Sequence, residues 1–457
     1  PRPILISWCV LSSPRTSQAS ATGKPQKDHA GKNLKSPKTD FFHILLHAPA
    51  ELTNVLDTEL KMLTRLTLLT LLFFLISFSC NNPAGTEHSS PDAQNIQPTV
   101  ICDPVTAEQK AAWIDSIFTH MAKGYWFNGA VAYLEQGCLV YRKAFGYGNF
   151  MSKDSLTTSS SFQLASVSKM FTAMSVMILK ERELIDLDAD IRRYLPSFPY
   201  DSVTVRMLLT HRSGLSRYMS LAHDEWKNKE VPLTNNDMLK LFEEFRPSPY
   251  FKPGNGFHYC NTNYALLACI VEAVSGMQFA DFVKANIFDP LGMDHSFVYH
   301  MNGDTAVSFY VDTGVMGHTY RGWRPVRVRN EYLNGVTGDK GVYTSIEDLA
   351  KFDQAITHNK LVSAGSMKEA FTPGSPGYWK RKDNYGFGWR IRESEDSTAF
   401  HFGWWKGFRA YYIRDMKRQK TLIVLTNKDK GPGSSVYWDI IRDSTHMIRF
   451  SEHLTVN

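Results

Sequence analysis

Ser166-Val167-Ser168-Lys169, opening the run Met170-Phe171-Thr172-Ala173-Met174-Ser175-Val176-Met177-Ile178-Leu179, is the stretch on which the reading of this chain turns. In a helix a serine and a lysine three residues apart share one face, one turn from each other. That spacing sets an amine beside a hydroxyl, which is what an otherwise inert serine needs to attack an acyl group. The residues that follow are apolar on most sides, so the spacing predicts a buried central helix. Ser166 is the only serine in the chain with a lysine at the third position after it. About one or two such pairs arise by chance in a chain of ordinary composition, so the surroundings decide.

Downstream, Tyr259-Cys260-Asn261 follows the turn signal Pro253-Gly254-Asn255-Gly256 and precedes a second apolar helical pattern. That pattern runs through Leu266, Leu267, Ile270, Val271 and Val274 and ends at Gly276. The tyrosine-x-asparagine spacing also occurs at Tyr147 and Tyr332. Tyr147 lies upstream of the serine in a hairpin region, and Tyr332 is the competing site. His401-Phe402-Gly403 falls on an expected late strand, whereas the similar His29-Ala30-Gly31 lies in the amino-terminal tail. Gly129 to Tyr147 alternates like a hairpin around Gln136-Gly137. Strands are expected over Ala399 to Phe402, Phe408 to Ile413 and Thr421 to Thr426, and a last helix over Val436 to Phe450. An early hairpin, a helical middle and late strands indicate an α+β core.

In this order, SxxK, YxN and HxG resemble the serine β-lactamase and penicillin-binding-protein superfamily. The closest resemblance is to the branch holding class C β-lactamases, D-Ala-D-Ala carboxypeptidases, D-aminopeptidases and carboxylesterases. Four further blocks are similar to that branch: Leu208 to Leu215 (LLTHRSGL), Pro253 to Met293, Gly341 to Leu349, and Tyr385-Gly386-Phe387-Gly388-Trp389. The similarity covers roughly Ala107 to Arg449. It implies an antiparallel sheet flanked by helices with an inserted helical subdomain, the serine lying between them. It also implies roles. Ser166 is the nucleophile, Lys169 its base, and Tyr259 the group that returns a proton to the leaving group. Asn261 donates a hydrogen bond to the substrate or to Lys169. Backbone N–H groups of Ser166 and Trp404 hold the oxyanion, and His401 and Gly403 border the substrate. A side chain at Gly403 is expected to crowd the substrate. Trp404, Trp405 and Phe408 either line the pocket or belong to the core. His211, Ser213 and Gly214 are expected to form a helix end and turn.

One departure bears on the substrate. Class C β-lactamases carry Lys-Thr-Gly where this chain has His401-Phe402-Gly403. Histidine is largely neutral at pH 7 and phenylalanine has no hydroxyl. The expectation is therefore an esterase, amidase or D-amino-acid peptidase rather than a β-lactamase proper, with Arg409 replacing the missing charge. A penicillin- or peptidoglycan-binding lipoprotein that acylates without efficient turnover is the alternative, and a catalytically silent relative the third reading. No G-x-S-x-G, HExxH, P-loop, G-x-G-x-x-G or Ser-Asp-Asn occurs, so no cofactor and no metal is expected.

The first methionine is Met62. A short basic segment there leads into the apolar run Leu66 to Phe78, then Ser79-Cys80, as in a secretory signal with a lipoprotein-type cysteine. An ordinary cleaved signal is the alternative. Residues 1–61 are expected to be an extension without a fold, 62–80 the signal, 81–106 a tether, and 107–450 the hydrolase domain. The protein is then exported and faces the periplasm or cell surface, held to the membrane by a lipid on Cys80. Residues 1–79 hold nine Lys/Arg and five Asp/Glu, which takes most of the formal charge of +6 and leaves a near-neutral body. A nucleic-acid partner is not expected; a small acyl amide, ester or peptidoglycan-derived peptide is. Cys102, Cys138, Cys260 and Cys269 show no zinc spacing. They are either oxidised, as export permits, or buried thiols.

Overall fold

The computed structural model describes residues 97–301, 311, 314–322, 324–375, 384–393 and 398–455, with 97–101 and 450–455 described by backbone alone. The signal segment, Cys80 and the extension before them lie outside the described residues. Strand β1 (Gln97–Cys102) leads into helix α1 (Pro104–Lys123), which begins with Asp103 accepting the Thr106 N–H and a proline in its first turn. The tether expected over 81–106 therefore ends earlier, because Asp103 and Pro104 make a strong helix start. Strands β2 (Gly129–Glu135) and β3 (Cys138–Phe145) form the expected hairpin. Its turn residues Gln136 and Gly137 have φ of 49° and 80°, the left-handed pair that matches strand twist.

After β4 (Phe162–Gln163) comes α2 (Lys169–Glu181), in which Lys169 through Leu179 are buried without a break. Helices α3 (Val205–Leu209), α4 (Tyr218–Glu225), α5 (Asn235–Phe245) and α6 (Asn261–Ser275) build the helical layer. Gly276 closes α6 at φ 69°, as its place after the apolar pattern predicts. Then follow β5 (Phe297–Val298), β6 (Val342–Thr344), α7 (Ile346–Thr357), β7 (Asn384–Tyr385), β8 (Arg390–Arg392), β9 (Thr398–Trp405), β10 (Phe408–Asp415), β11 (Lys420–Thr426), α8 (Ser435–Arg442) and β12 (Phe450–Thr455).

The central sheet has seven strands in the order β7-β8-β9-β10-β11-β2-β3, every neighbour antiparallel. Period-two alternation gives it two apolar faces. Ala130, Ala132 and Leu134 face the core shared with α2, α6 and α7; Val131 and Tyr133 face the core shared with α1 and α8. This is the α+β architecture expected, a sheet between helical layers. The last helix stops at Arg442 instead of Phe450. Asp443 turns the chain there: its carboxylate takes Lys110 Nζ at 2.7 Å and its carbonyl takes Lys420 Nζ at 2.8 Å, so that carbonyl leaves the helix. The chain returns as β12 along β1. Cys102 and Cys138 form a disulfide, and Cys260 and Cys269 are buried thiols, so each of the two states left open is used by one pair.

Candidate active site

Ser166 sits in a 3-10 turn, Ala165–Ser168, that runs directly into α2. Ala165 has φ of 49°, a left-handed conformation that alanine rarely adopts, so the turn is held in place by its surroundings. Val342 N–H donates to Ser168 Oγ at 3.1 Å, and Leu164 N–H donates to the Val342 carbonyl at 2.9 Å. On the other side β9 presses on the turn. A Cβ built on Gly403 would stand 2.1 Å from the Leu164 carbonyl oxygen and 3.1 Å from Ala165 Cβ. The glycine is thus required by the backbone of the serine turn itself.

Lys169 is fully buried and its Nζ has three oxygen partners: Ser166 Oγ at 3.1 Å, Asn261 Oδ1 at 2.9 Å and the Asp339 carbonyl at 2.8 Å. Two of these can only accept. An amine that gives its protons to Asn261 and Asp339 aims its remaining valence at the serine hydroxyl. Asn261 was expected to donate to the substrate or to Lys169; toward Lys169 its Oδ1 accepts, and its Nδ2 lies 3.7 Å from Met219 Sδ.

Tyr259 is half-buried just before α6, with Lys169 Nζ 5.2 Å and the Arg390 guanidinium carbon 4.9 Å from its ring centroid. The competing Tyr332 lies in a separate turn, its carbonyl accepting from Leu233 and its ring facing Lys229. The loop carrying Tyr259 is fixed from below by His211, as the Cys260 N–H donates to His211 Nδ1 at 3.2 Å and the His258 N–H to its carbonyl at 3.0 Å. His211 has φ of 57°, and its ring lies tilted 4.4 Å from that of Tyr259 and edge-on 4.5 Å from that of Tyr385, between centroids. The helix end and turn expected at His211 and Gly214 are present, and the imidazole also supports the second motif.

His401 is buried and both its nitrogens are engaged: Nδ1–H donates to the Phe402 carbonyl at 3.0 Å, and Nε2 accepts from the Tyr385 hydroxyl at 2.9 Å. Its ring centroid lies 6.0 Å from that of Tyr259. Burial, then the charges of Arg390 and Lys169, hold His401 well below the usual histidine range. Burial, followed by Lys169, His401 and Arg390, does the same to His211. Both are neutral imidazoles.

Strand alternation overturns one assignment. His401, Gly403 and Trp405 face the helical layer with the serine, so Phe402 and Trp404 face the other way, as does Arg409, paired directly with Trp404. The Arg409 guanidinium carbon lies 5.8 Å from the Trp404 ring, and its charge is felt by Tyr437 of α8 on the far face. Arg409 cannot replace the missing lysine. Arg390 is a cation on the serine side, 4.9 Å from the Tyr259 ring centroid, which the sequence reading passed over although it directly follows Gly386-Phe387-Gly388-Trp389. Trp405 and Phe408 belong to the core, and the Trp404 side chain is 68% exposed. Asp339 was also missed, since it acts through a carbonyl that no residue type announces.

A cavity of about 240 Å³ opens beside the second motif, lined by Arg217, Tyr218, Met219, Tyr259, Cys260 and Asn261. A larger one of about 410 Å³, around Arg206, Arg212 and Glu369, holds none of the motif residues. Among the described residues no group of three or more His, Cys, Asp or Glu could hold a metal ion.

Residues 114–446 match the beta-lactamase family. The chain is 35% identical over 334 residues to penicillin-binding protein 4* of Bacillus subtilis, covering 71% of this chain and 73% of that one. It is 29% identical over 307 residues to a D-aminopeptidase of Brucella canis, covering 66% of this chain and only 56% of that enzyme. Among solved structures it is similar to a penicillin-binding protein homologue from Pyrococcus abyssi, with a TM-score of 0.62, 24% identity and coverage of 72% of this chain and 76% of that chain. A D-amino acid amidase from Ochrobactrum anthropi matches with a TM-score of 0.55 at 23% identity, covering 71% and 91%.

Proposed function

The chain belongs to the beta-lactamase family, and we propose that within it the protein is a serine hydrolase that opens an amide or ester bond through an acyl-enzyme on Ser166. The observation that carries this reading is the triple contact of Lys169 Nζ, which leaves its third position for the Ser166 hydroxyl. Ser166 Oγ attacks the acyl carbon while its proton passes to the Lys169 amine. The carbonyl oxygen, now an anion, is received by the backbone N–H groups of Ser166 and Trp404; losing one such donor typically costs about 2.7–4 kcal/mol. Tyr259 hands a proton to the leaving amine or alkoxide, the C–N or C–O bond breaks, and the acyl group stays on Ser166. Water then attacks the ester carbon, gives its proton back through the same two residues, and Ser166 Oγ departs as the hydroxyl.

The penicillin-binding, D-aminopeptidase and D-amino acid amidase relatives favour a D-amino-acid amide or peptide as substrate. Arg390 supports a substrate with a carboxylate, because it sets a permanent positive charge against the Tyr259 ring. The similarity to a penicillin-binding protein at 35% identity favours one second reading, a penicillin- or peptidoglycan-binding protein that acylates and turns over slowly. Export fits both, and the Cys102–Cys138 disulfide supports an oxidising compartment. A lipid on Cys80 would hold the protein at the membrane surface.

The test is hydrolysis of a p-nitrophenyl ester and a D-alanine p-nitroanilide by the chain from Asn81 onward, wild type beside Ser166→Ala, with intact mass recorded in the first seconds. Turnover with a transient acyl mass, both absent in Ser166→Ala, is expected. A lasting adduct without turnover selects the second reading. Unchanged turnover in Ser166→Ala would sink both.

A further inference from the structure

A second buried lysine lies behind Lys169. The Lys340 side chain is 4% exposed, and its Nζ donates to the Tyr218 hydroxyl at 2.8 Å and the Val336 carbonyl at 3.0 Å while pairing with Asp339 Oδ1 at 3.3 Å. The Tyr218 hydroxyl in turn donates to Asp339 Oδ2 at 3.1 Å, so both oxygens of that carboxylate are held. Asp339 is the residue whose carbonyl takes Lys169 Nζ. The ion pair and the tyrosine therefore fix, from inside the protein, the peptide group that orients the base.

The same assembly reaches all three motifs. It meets the first through the Asp339 carbonyl, and through Thr172 of α2, whose hydroxyl donates to the Gly338 carbonyl at 2.7 Å. It meets the second through Tyr218, whose N–H donates at 2.8 Å to Oγ1 of Thr262, the residue after Asn261. The third is met through Trp405, where Lys340 Nζ stands 5.5 Å from the ring centroid. The backbone at Asp339 and Lys340 is also unusual. Gly338 and Gly341 on either side have φ of 94° and 105°, and a Cβ on Gly338 would stand 2.3 Å from the Tyr264 carbonyl. A buried ion pair is a poor device for stability alone, since apolar residues of similar volume commonly do as well. Its charges and hydroxyl make sense where a direction has to be kept.

We propose that Asp339, Lys340 and Tyr218 form a positioning unit for the lysine base, holding the Asp339 carbonyl so that Lys169 keeps its remaining valence on Ser166. Asp339 touches the base only through its backbone carbonyl, and its side chain, Lys340 and Tyr218 act through that peptide group. The inference rests on the function proposed above and adds the means by which the base is aimed.

The test measures the single-turnover acylation rate and KM with p-nitrophenyl acetate, the pH dependence of acylation and the thermal midpoint. The proteins are the wild type, Ser166→Ala, Tyr218→Phe and Lys340→Met. Tyr218→Phe removes one hydroxyl and keeps the ring; it is expected to acylate about 10-fold more slowly with KM within about 2-fold. Lys340→Met is expected to lose about 100-fold in the same step. Both should move the acidic limb of the acylation profile, which a packing defect would leave in place. If Lys340→Met does not fold, Tyr218→Phe decides alone. Wild-type acylation and an unmoved profile in Tyr218→Phe, with Ser166→Ala inert, would overturn this inference and leave the proposed function standing. Turnover by Ser166→Ala would overturn both.

Discussion

Two buried lysines on opposite faces of the central sheet show how differently one residue type is used. On the α1 face Lys110 is fully buried and meets a carboxylate, Asp443, at 2.7 Å. Burial pushes Asp443 up, but the Lys110 ammonium, the Thr445 hydroxyl and the His446 N–H together hold it well below the usual carboxylate range. On the α2 face Lys169 is equally buried and meets only neutral oxygens; among the described residues no carboxylate pairs with it. The first lysine is neutralised and ties helix to sheet. The second keeps an unbalanced amine beside a hydroxyl, an arrangement that gains nothing for stability and suits proton transfer.

Replacing each lysine by methionine should separate these roles. Lys169→Met is expected to lower acylation by about 10³–10⁴-fold, and to leave the thermal midpoint unchanged or raised, since no partner charge is stranded. A stopped-flow burst assay beside calorimetry checks both. Lys110→Met should do the reverse: activity kept, stability lowered by about 2–4 kcal/mol in urea unfolding, because Asp443 loses its counter-ion. Similar losses of activity in the two variants would break the comparison.

Gly403→Ala sharpens it from the third motif. The added methyl meets the backbone of the serine turn, which has no flexible end to move away. A stability loss of about 1–3 kcal/mol is expected, together with a fall in kcat larger than any change in KM. A variant as active and as stable as the wild type would show that β9 does not brace Ser166.

The parts of this site that could be read from the chain are those where residue type is itself the signal. Ser166 and Lys169 fall on one helical face because their spacing allows nothing else, and the apolar run after them has room only in a core. Gly276 and the Gln136-Gly137 turn announce their left-handed geometry directly. The misplacement of Arg409 has a plain physical origin, that a strand's side-chain direction flips with every residue. Arg409 lies near Gly403 in sequence, yet it pairs with Trp404 and points away from the helical layer that His401 and Gly403 face. Asp339 was invisible for a different reason: its contribution is a carbonyl, which every residue has. The last helix was overextended because the charge that ends it, Lys110, comes from 333 residues earlier in the chain.

Arg390 and Arg409 give the next test, since Arg390 stands on the serine side where Arg409 was expected. Arg390→Ala should raise KM about 10-fold for substrates with a carboxylate and leave neutral esters nearly unchanged. Arg409→Ala should change neither, as its side chain lies on the face of α8. A carboxylate-specific effect in Arg409→Ala would reverse the assignment.

The smallest effect expected is on pH. His211 and His401 are both held below the usual histidine range, by burial first and then by the cations around them, Lys169 and Arg390 for both. The unfolded chain therefore takes up these protons first as pH drops below about 6.5. Their contribution to stability is whole above that value and is lost as pH falls through the folded values. The thermal midpoint should decline between pH 7.5 and pH 5, and His401→Gln should reduce that decline by about 2–4 °C. Glutamine can still accept from the Tyr385 hydroxyl but does not titrate, so the comparison isolates the proton. The Lys110 side of the sheet responds at the other end of the scale. Asp443, held low, contributes stability that is whole above the usual carboxylate value and is lost only in stronger acid. A decline in Lys110→Met that matches the wild type down to pH 5 would show that the acid sensitivity near neutrality belongs to the α2 face alone.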